Sequence, residues 1–442
     1  MSSCIKLRRG FDLPLKGAAP TAESVAPAPT EVAICPDDFP GFTPKAAVRE
    51  GDRVNVGSPL LFDKLQPSVC LTSPVAGRVK AIVRGSRRKI ERVVVTPDGS
   101  ADTDSYAVGS TAEAAAQALA TSGLWAWMRQ LPYGIVPELT VAPRDIFVTA
   151  IDSAPLAGDI AAELNPHHLE AGVSLLRRFT TGNIYIGVRK GQPFPAIKDA
   201  QTVCFTGPHP VGLASVQANH IAPVNKGETV WLLDIVTLGK IGILALTGKP
   251  NFSTTVTLAG PELSRPGTVK SVVGADLTTL LAGRVKDDGS HKRYIAGNVL
   301  TGFRETASGF LHYPYRQVTV IAEGDDRVEF MGWASLSPSK MSLSRTFPAG
   351  FMPGRKLSAD ALLHGGRRAM IMSGVYDKMV PMDIMTEPLV KAILGRDIER
   401  MEALGIYEVT PDDFALAEWA DPSKLELQRI VREGLDYMRS EA

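Results

Sequence analysis

A multidomain fold of β and α/β units, closed by a helical region, is what this sequence predicts, on three observations. The chain has 442 residues, too many for one hydrophobic core, and roughly 100–200 residues per domain implies about three or four domains. Its first part is rich in Gly and Pro with short β-branched runs, and longer apolar runs alternating with helical or loop segments follow. The C-terminal part instead carries apolar residues at three- and four-residue spacing, as amphipathic helices do.

The N-terminal unit, residues 1–105, reads as a small all-β barrel. Val79-Lys-Ala-Ile-Val83 and Arg92-Val-Val-Val-Thr96 are strand-like. Val48-Arg-Glu-Gly-Asp-Arg-Val-Asn-Val-Gly-Ser-Pro-Leu60, followed by Thr72-Ser-Pro-Val-Ala-Gly-Arg-Val79, resembles the biotinyl/lipoyl barrel-sandwich pattern, with Gly-Asp and Gly-Ser pairs at the turns. Carrier domains of that kind hold their cofactor on a hairpin lysine, and Lys64 stands near that place. The preceding segment is short and Pro67 follows, so an unmodified structural barrel is expected. The Ala/Pro-rich stretch Ala18 to Pro29 reads as a surface loop, and Arg84-Gly-Ser-Arg-Arg-Lys89 as a hairpin tip facing solvent, a partner or lipid headgroups.

Residues 106–258 open with an Ala-rich helical stretch, Thr111 to Gln130, broken by Gly123. Ile146–Thr149, Ile184–Val188, Thr202–Phe205 and Val230–Leu233 then read as strands of a largely parallel, Rossmann-like layer. From 259 to 355, Thr268–Val273, the short helix Thr278–Leu281, Ile295–Gly302, Gln317–Ile321 and Val328–Gly332 suggest a β-grasp-like module with additional strands. The last unit, 356–442, is helical over Glu387–Gly395, Ile398–Leu404 and Leu425–Arg439.

Apolar residues are 44% and charged residues 21%, an ordinary globular balance, and the net charge of +1 gives no global attraction to nucleic acid. Lys6, Arg8 and Arg9 precede no apolar h-region, so a cytoplasmic chain is expected. The most apolar stretch, Thr229 to Leu246, is interrupted by Asp234, Gly239 and Lys240, leaving no run of about 18 apolar residues to span a bilayer. Cys4, Cys35, Cys70 and Cys204 are far apart and lack C-x-x-C spacing, so buried free thiols and no metal are expected.

Arg9-Gly-Phe-Asp-Leu-Pro-Leu-Lys-Gly17, Ser122-Gly-Leu-Trp125 before Leu131-Pro-Tyr-Gly134, and Ile146-Phe-Val-Thr-Ala-Ile-Asp-Ser-Ala-Pro-Leu-Ala157 carry a family resemblance. So do Thr206-Gly-Pro-His-Pro210, Glu329-Phe-Met-Gly-Trp333 and Ile398-Glu-Arg-Met-Glu-Ala-Leu-Gly405. Together, and in this order along the whole chain, they resemble the A subunit of the Na+-translocating NADH:quinone reductases, distant kin of the Rnf complex C subunit and the complex I flavin subunit. The resemblance implies an SLBB-like β-grasp module and a ferredoxin-like helical domain without clusters. It further implies a peripheral subunit on the cytoplasmic face of the bacterial inner membrane, beside a membrane-embedded neighbour. That complex passes electrons from NADH to ubiquinone and exports Na+, with flavins and iron on other subunits and no cofactor on this one.

Two departures from the distant kin support that last expectation. The stretch matching the FMN-phosphate loop, Gly123 to Pro132, holds Trp125, Trp127 and Met128, which read as packing; a phosphate cradle needs glycine backbone. The spacing of the cluster-binding cysteines falls on Met370, Ser373, Tyr376 and Val380 before Pro381, and on Pro411, Phe414, Ala417 and Asp421 before Pro422, none a thiol.

No catalytic residue is assigned. His209, between two prolines, is the one residue offered as a contact for a quinone oxygen, which needs a hydrogen-bond donor. His167-His168 reads as a polar helix start after Asn165-Pro166. Gly239-Lys-Ile-Gly242 lacks the later glycine and the acid of a dinucleotide fingerprint. The alternative function is a stand-alone soluble redox or carrier protein built on the lipoyl-like barrel; it would need a flavin loop, a cysteine cluster or a modified Lys64.

Overall fold

The computed structural model describes residues 4–21, 23–160, 164–325, 338–341, 343, 347–352 and 354–441. The predicted strand Val328–Gly332 and the segment Glu329–Trp333 lie outside them.

The chain opens with β1 (Ile5–Lys6) and β2 (Glu23–Val25), then runs through β3 (Val32–Ile34), β4 (Pro44–Ala46), β5 (Arg53–Val54), β6 (Pro59–Asp63), β7 (Cys70–Thr72), β8 (Gly77–Arg84) and β9 (Ile90–Pro97). Here β3-β9-β8-β5 and β4-β6-β7 form two small antiparallel sheets, the two layers of the barrel. β8 and β9 make the expected hairpin, with Arg84–Lys89 at its tip. The expected loop Ala18–Pro29 instead contains β2, because this stretch finds free backbone groups on the edge of a distant strand.

Helix α1 (Ala112–Thr121) starts on Thr111, whose side chain accepts from Ala114 N, and ends before Gly123, whose φ of +87° turns the chain. The predicted helix is therefore shorter than its alanine content suggested; beyond Gly123 come a 3-10 turn, Trp125–Trp127, and β10 (Arg129–Leu131). Next are β11 (Asp145–Thr149), α2 (Pro166–Leu176), β12 (Ile184–Arg189), β13 (Gln201–Thr206), α3 (Ala214–Ile221), β14 (Val230–Asp234) and α4 (Ile235–Thr247). The sheet order is β1-β13-β12-β11-β14-β10, parallel except for β10. Strands β11 and β14 are buried almost throughout, as expected of a parallel sheet covered on both faces.

The third sheet combines β15 (Ser253–Ala259), β16 (Gly267–Val272), β17 (Lys292–Ala296), β18 (Phe303–Glu305) and β19 (Gln317–Ala322), with α5 (Leu277–Leu280) packed beside it. Its order is β18-β17-β19-β15-β16-β2. The C-terminal part is helical: α6 (Tyr376–Met379), α7 (Thr386–Leu394), α8 (Ile398–Ala403), α9 (Ala415–Ala420) and α10 (Leu427–Glu441). α10 buries Leu427, Ile430, Val431, Leu435 and Met438, one stripe at helical spacing.

The cores do not respect sequence order. One apolar cluster runs from Leu60, Val69 and Val93 in the barrel through Leu119 and Trp125 to Ile146, Trp231 and Ile241 in the α/β layer. A second joins Leu7, Leu13, Phe205 and Val216 to the C-terminal helices. Polar contacts reinforce that second junction: α3 sends Ser215 Oγ to Asp413 Oδ1 at 2.5 Å and Asn219 Nδ2 to Glu408 Oε2 at 2.8 Å.

The expectation of four free thiols is corrected. Cys4 and Cys204 form a disulfide, because β1 pairs in parallel with β13 (Ile5 opposite Phe205) and so sets residue 4 beside residue 204. Cys35 and Cys70 are free and buried.

Candidate functional site

A doubly wound sheet binds ligands outside the carboxyl ends of its strands, where neighbouring connections diverge and leave a crevice. Here the chain leaves β11 toward β12 and β13 on one side and returns to β14 on the other, so β11 and β14 flank that point. Thr149 and Asp234 end these strands. The loops after β11 and β13 and the segment after β1 all emerge at this edge.

These loops are three of the segments that carried the family resemblance, and they converge on His209. Asp12 Oδ1 accepts the His209 backbone N–H at 2.8 Å, and Phe11 N donates to His209 O at 2.9 Å. A Cβ on Gly10 would lie 2.2 Å from that carbonyl oxygen, and Gly10 has φ +109°; glycine is required for this approach. Ser153 Oγ lies 3.1 Å from His209 Nδ1 and accepts from Gly212 N at 2.9 Å. Gln217 ties the floor together, donating to Thr149 Oγ1 at 3.0 Å and Val211 O at 2.9 Å.

His209 is 4% exposed, and burial pushes its pKa down to about 4 against the opposing charge of Asp12, so the ring is neutral near pH 7. Its Nε2 is buried with no hydrogen-bond partner among the described residues. A buried polar atom left unpaired costs about 1–3 kcal/mol. Although Ser, His and Asp meet here, Asp12 holds the histidine backbone rather than its ring, so the imidazole is not poised as the base of a hydrolytic triad. What the arrangement supplies is one oriented, uncharged ring nitrogen in an apolar setting that includes Leu7, Leu13, Ile151 and Val211.

The β-grasp sheet covers the neighbouring part of the edge. Arg316 Nη1 lies 3.2 Å from Asp234 Oδ2, while Asp234 Oδ1 caps α4 through Thr237 N at 2.9 Å. Gln317 Nε2 donates to Pro155 O at 3.0 Å.

Other residues singled out from sequence lie elsewhere. Lys64 is exposed in the loop between β6 and β7, where Asp63 Oδ1 accepts from Thr43 N and Leu65 N. His167 and His168 stand in the first turn of α2, capped by Asn165. Gly239 to Gly242 lie inside α4, away from any strand-to-helix turn. Trp125 and Met128 are core: Trp125 donates from Nε1 to Pro137 O at 2.8 Å and meets Trp231 edge-on at 5.0 Å. Of the positions in cluster-binding register, Tyr376, Val380, Phe414 and Ala417 fill one apolar core where α6 packs on α9. Burial, with the Asp421 carboxylate nearby, pushes the Tyr376 hydroxyl pKa up.

The sequence singled out His209 but not Asp12 or Ser153, which the structure places against it. Both lie inside segments already singled out, but only the parallel placement of β1, β11 and β13 brings them to one ring.

Family models described as the NqrA N-terminal barrel-sandwich hybrid domain, the NqrA second alpha/beta domain and the NQRA C-terminal domain match residues 5–98, 110–250 and 255–306. The A subunit of the Na(+)-translocating NADH-quinone reductase of Rhodopirellula baltica is 35% identical over 454 residues, covering 99% of both chains. Those of Pasteurella multocida and Serratia proteamaculans are each 34% identical, covering 99% of this chain and 100% of their own. With relatives this similar over nearly the full length and a matching domain series, the chain belongs to the NqrA family, the A subunit of the Na+-translocating NADH-quinone reductases.

Proposed function

We propose that this chain is a peripheral subunit on the cytoplasmic face of the bacterial inner membrane, docked on a membrane-embedded neighbour, and that His209 contacts ubiquinone. The complex carries electrons from NADH to ubiquinone and couples them to Na+ export, with flavins and iron on other subunits. Among the described residues no helix is long and apolar enough to cross a membrane, which suits a peripheral place.

The observation that carries the quinone reading is the unpartnered Nε2 of His209 at the carboxyl edge of the sheet. The roles at the contact between Ser153 Oγ and Nδ1 depend on the tautomer; in the one where the hydroxyl donates to Nδ1, the ring hydrogen sits on Nε2. A neutral N–H in an apolar wall matches a quinone carbonyl, which accepts hydrogen bonds and carries no charge. The test is the assembled complex bearing His209→Ala, assayed for its KM for a short-chain ubiquinone, together with photolabelling by an azidoquinone. Loss of one hydrogen bond, about 1 kcal/mol, raises KM roughly 5-fold and weakens the label on this chain by up to the same factor. An unchanged KM, with label confined to membrane subunits, refutes the assignment.

A further inference from the structure

A second buried polar cluster lies where the barrel meets the β-grasp sheet. Cys35 follows β3, Asp38 ends the 3-10 turn Pro36–Asp38, Glu305 ends β18, and His312 sits in the connection from β18 to β19. Ligand atoms of Cys35, Asp38 and His312 all lie within 4.8 Å of one another. Asp38 Oδ1 is 2.7 Å from His312 Nδ1, and Glu305 Oε1 is 3.0 Å from His312 Nε2. Cys35 and Asp38 are each 6% exposed.

We propose that this cluster is a Zn2+ site, with Cys35 Sγ, an Asp38 carboxylate oxygen and His312 Nδ1 as protein ligands and Glu305 as the residue that orients the imidazole.

The donor set is one that zinc takes: a thiolate, an imidazole nitrogen and a carboxylate, with a water completing four-coordination. Bond lengths of about 2.0–2.3 Å put tetrahedral ligand atoms about 3.3–3.8 Å apart, within the spacing of this cluster. The contact between Asp38 and His312 must open by roughly half an ångström to admit the ion, a movement the side-chain torsions can supply.

The surroundings match what zinc ligands require. A ligating histidine gives its other ring N–H to a carboxylate, which sets the tautomer and holds the ring; Glu305 stands at that nitrogen. Glu305 is itself held by Thr306 N at 3.1 Å and faces Arg92 Nη1 at 3.6 Å. Asp38 Oδ2 accepts from Tyr313 N at 3.0 Å, leaving Oδ1 for the ion. Phe303 lies against the ring with centroids 4.7 Å apart.

Zn2+ binds the Cys35 thiolate and a neutral His312 Nδ1, so the protons carried by these two atoms leave to solvent and no redox change is involved. Its structural effect is to tie the barrel, through Cys35 and Asp38, to the β-grasp sheet, through His312.

The full chain is expressed in zinc-depleted, cobalt-supplemented medium, so that the ion is present while the chain folds, and the purified protein is assayed for metal content and absorption. The expected result is one Co2+ per chain with a near-ultraviolet thiolate-to-cobalt charge-transfer band. The band disappears in Cys35→Ser and persists in Cys70→Ser. Glu305→Gln retains it with cobalt affinity lowered about 10-fold. Because Cys35 and Cys70 are the free thiols, persistence in Cys70→Ser assigns the band to Cys35 even if Cys35→Ser fails to fold. No retained cobalt, cobalt without a sulfur band, or a band lost in Cys70→Ser overturns the proposal.

Discussion

Asp413 makes a pH prediction that can be worked through from the structure. It is fully buried in the 3-10 turn Pro411–Phe414, where Oδ1 accepts from Ser215 Oγ at 2.5 Å and Oδ2 from Thr410 N at 2.6 Å and Thr410 Oγ1 at 3.0 Å. Burial, opposed by these hydrogen bonds, pushes its carboxyl from an ordinary 3.8 up to about 7. The folded chain therefore holds this proton more tightly than the unfolded chain does. The stabilisation is complete below the unfolded value, falls as pH rises, and is gone above about 7. At about 1.4 kcal/mol per unit, and with the group still half protonated at pH 7, the step from pH 5 to pH 8 costs about 3 kcal/mol. Because Ser215 belongs to α3 and Asp413 to the C-terminal helical part, the loss falls on the junction between them. Asp413→Asn keeps an acceptor for Thr410 and a donor for Ser215, reproducing the protonated acid without its titration. Thermal unfolding of both proteins at pH 5 and pH 8 is the assay. The variant's stability relative to the native chain should improve by about 3 kcal/mol between the two. A gap that does not change with pH refutes the argument that Asp413 titrates in the folded core.

Other perturbations test the same framework. Gly10→Ala places a Cβ 2.2 Å from His209 O at positive φ, so the chain is expected to lose about 1–3 kcal/mol and show faster amide exchange in residues 7–13 by mass spectrometry. Cys4→Ser removes a cross-link between residues 200 apart in sequence; the expected cost is about 2–4 kcal/mol, and a Cys4–Cys204 peptide should be seen in a non-reducing digest of the native chain only. Trp125→Ala empties the centre of the shared core and strands Pro137 O, with an expected loss of about 3–5 kcal/mol in urea titration. A loss below about 1 kcal/mol would show that the barrel and the α/β layer do not depend on that shared core.

Local signals made much of this fold legible. Four apolar runs in the middle of the chain became parallel strands; β11 and β14 were the plainest, since a strand covered on both faces must be apolar at nearly every position. The helix starts at Asn165-Pro166 and Thr111 were legible because capping is a contact between neighbours in sequence. Trp125 and Met128 could be read as packing because side chains of that size leave no room for a phosphate. Long-range pairing was not legible. Nothing near Glu23–Val25 says that it will find β16, and nothing near Cys4 says that it will meet Cys204.

The sequence by itself determined the family, the succession of β, α/β and helical units, and the interest of His209, since each rests on ordered motifs or on periodicity within a few residues. Only the tertiary structure decided what surrounds that histidine. Asp12, Ser153 and Gly10 reach it because three parallel strands end at one sheet edge, and a sheet edge gathers residues by hydrogen-bond register rather than by sequence distance. The same holds for Cys35, Asp38, Glu305 and His312. They come from segments far apart in the chain and meet because the barrel and the β-grasp sheet bury their facing surfaces against each other.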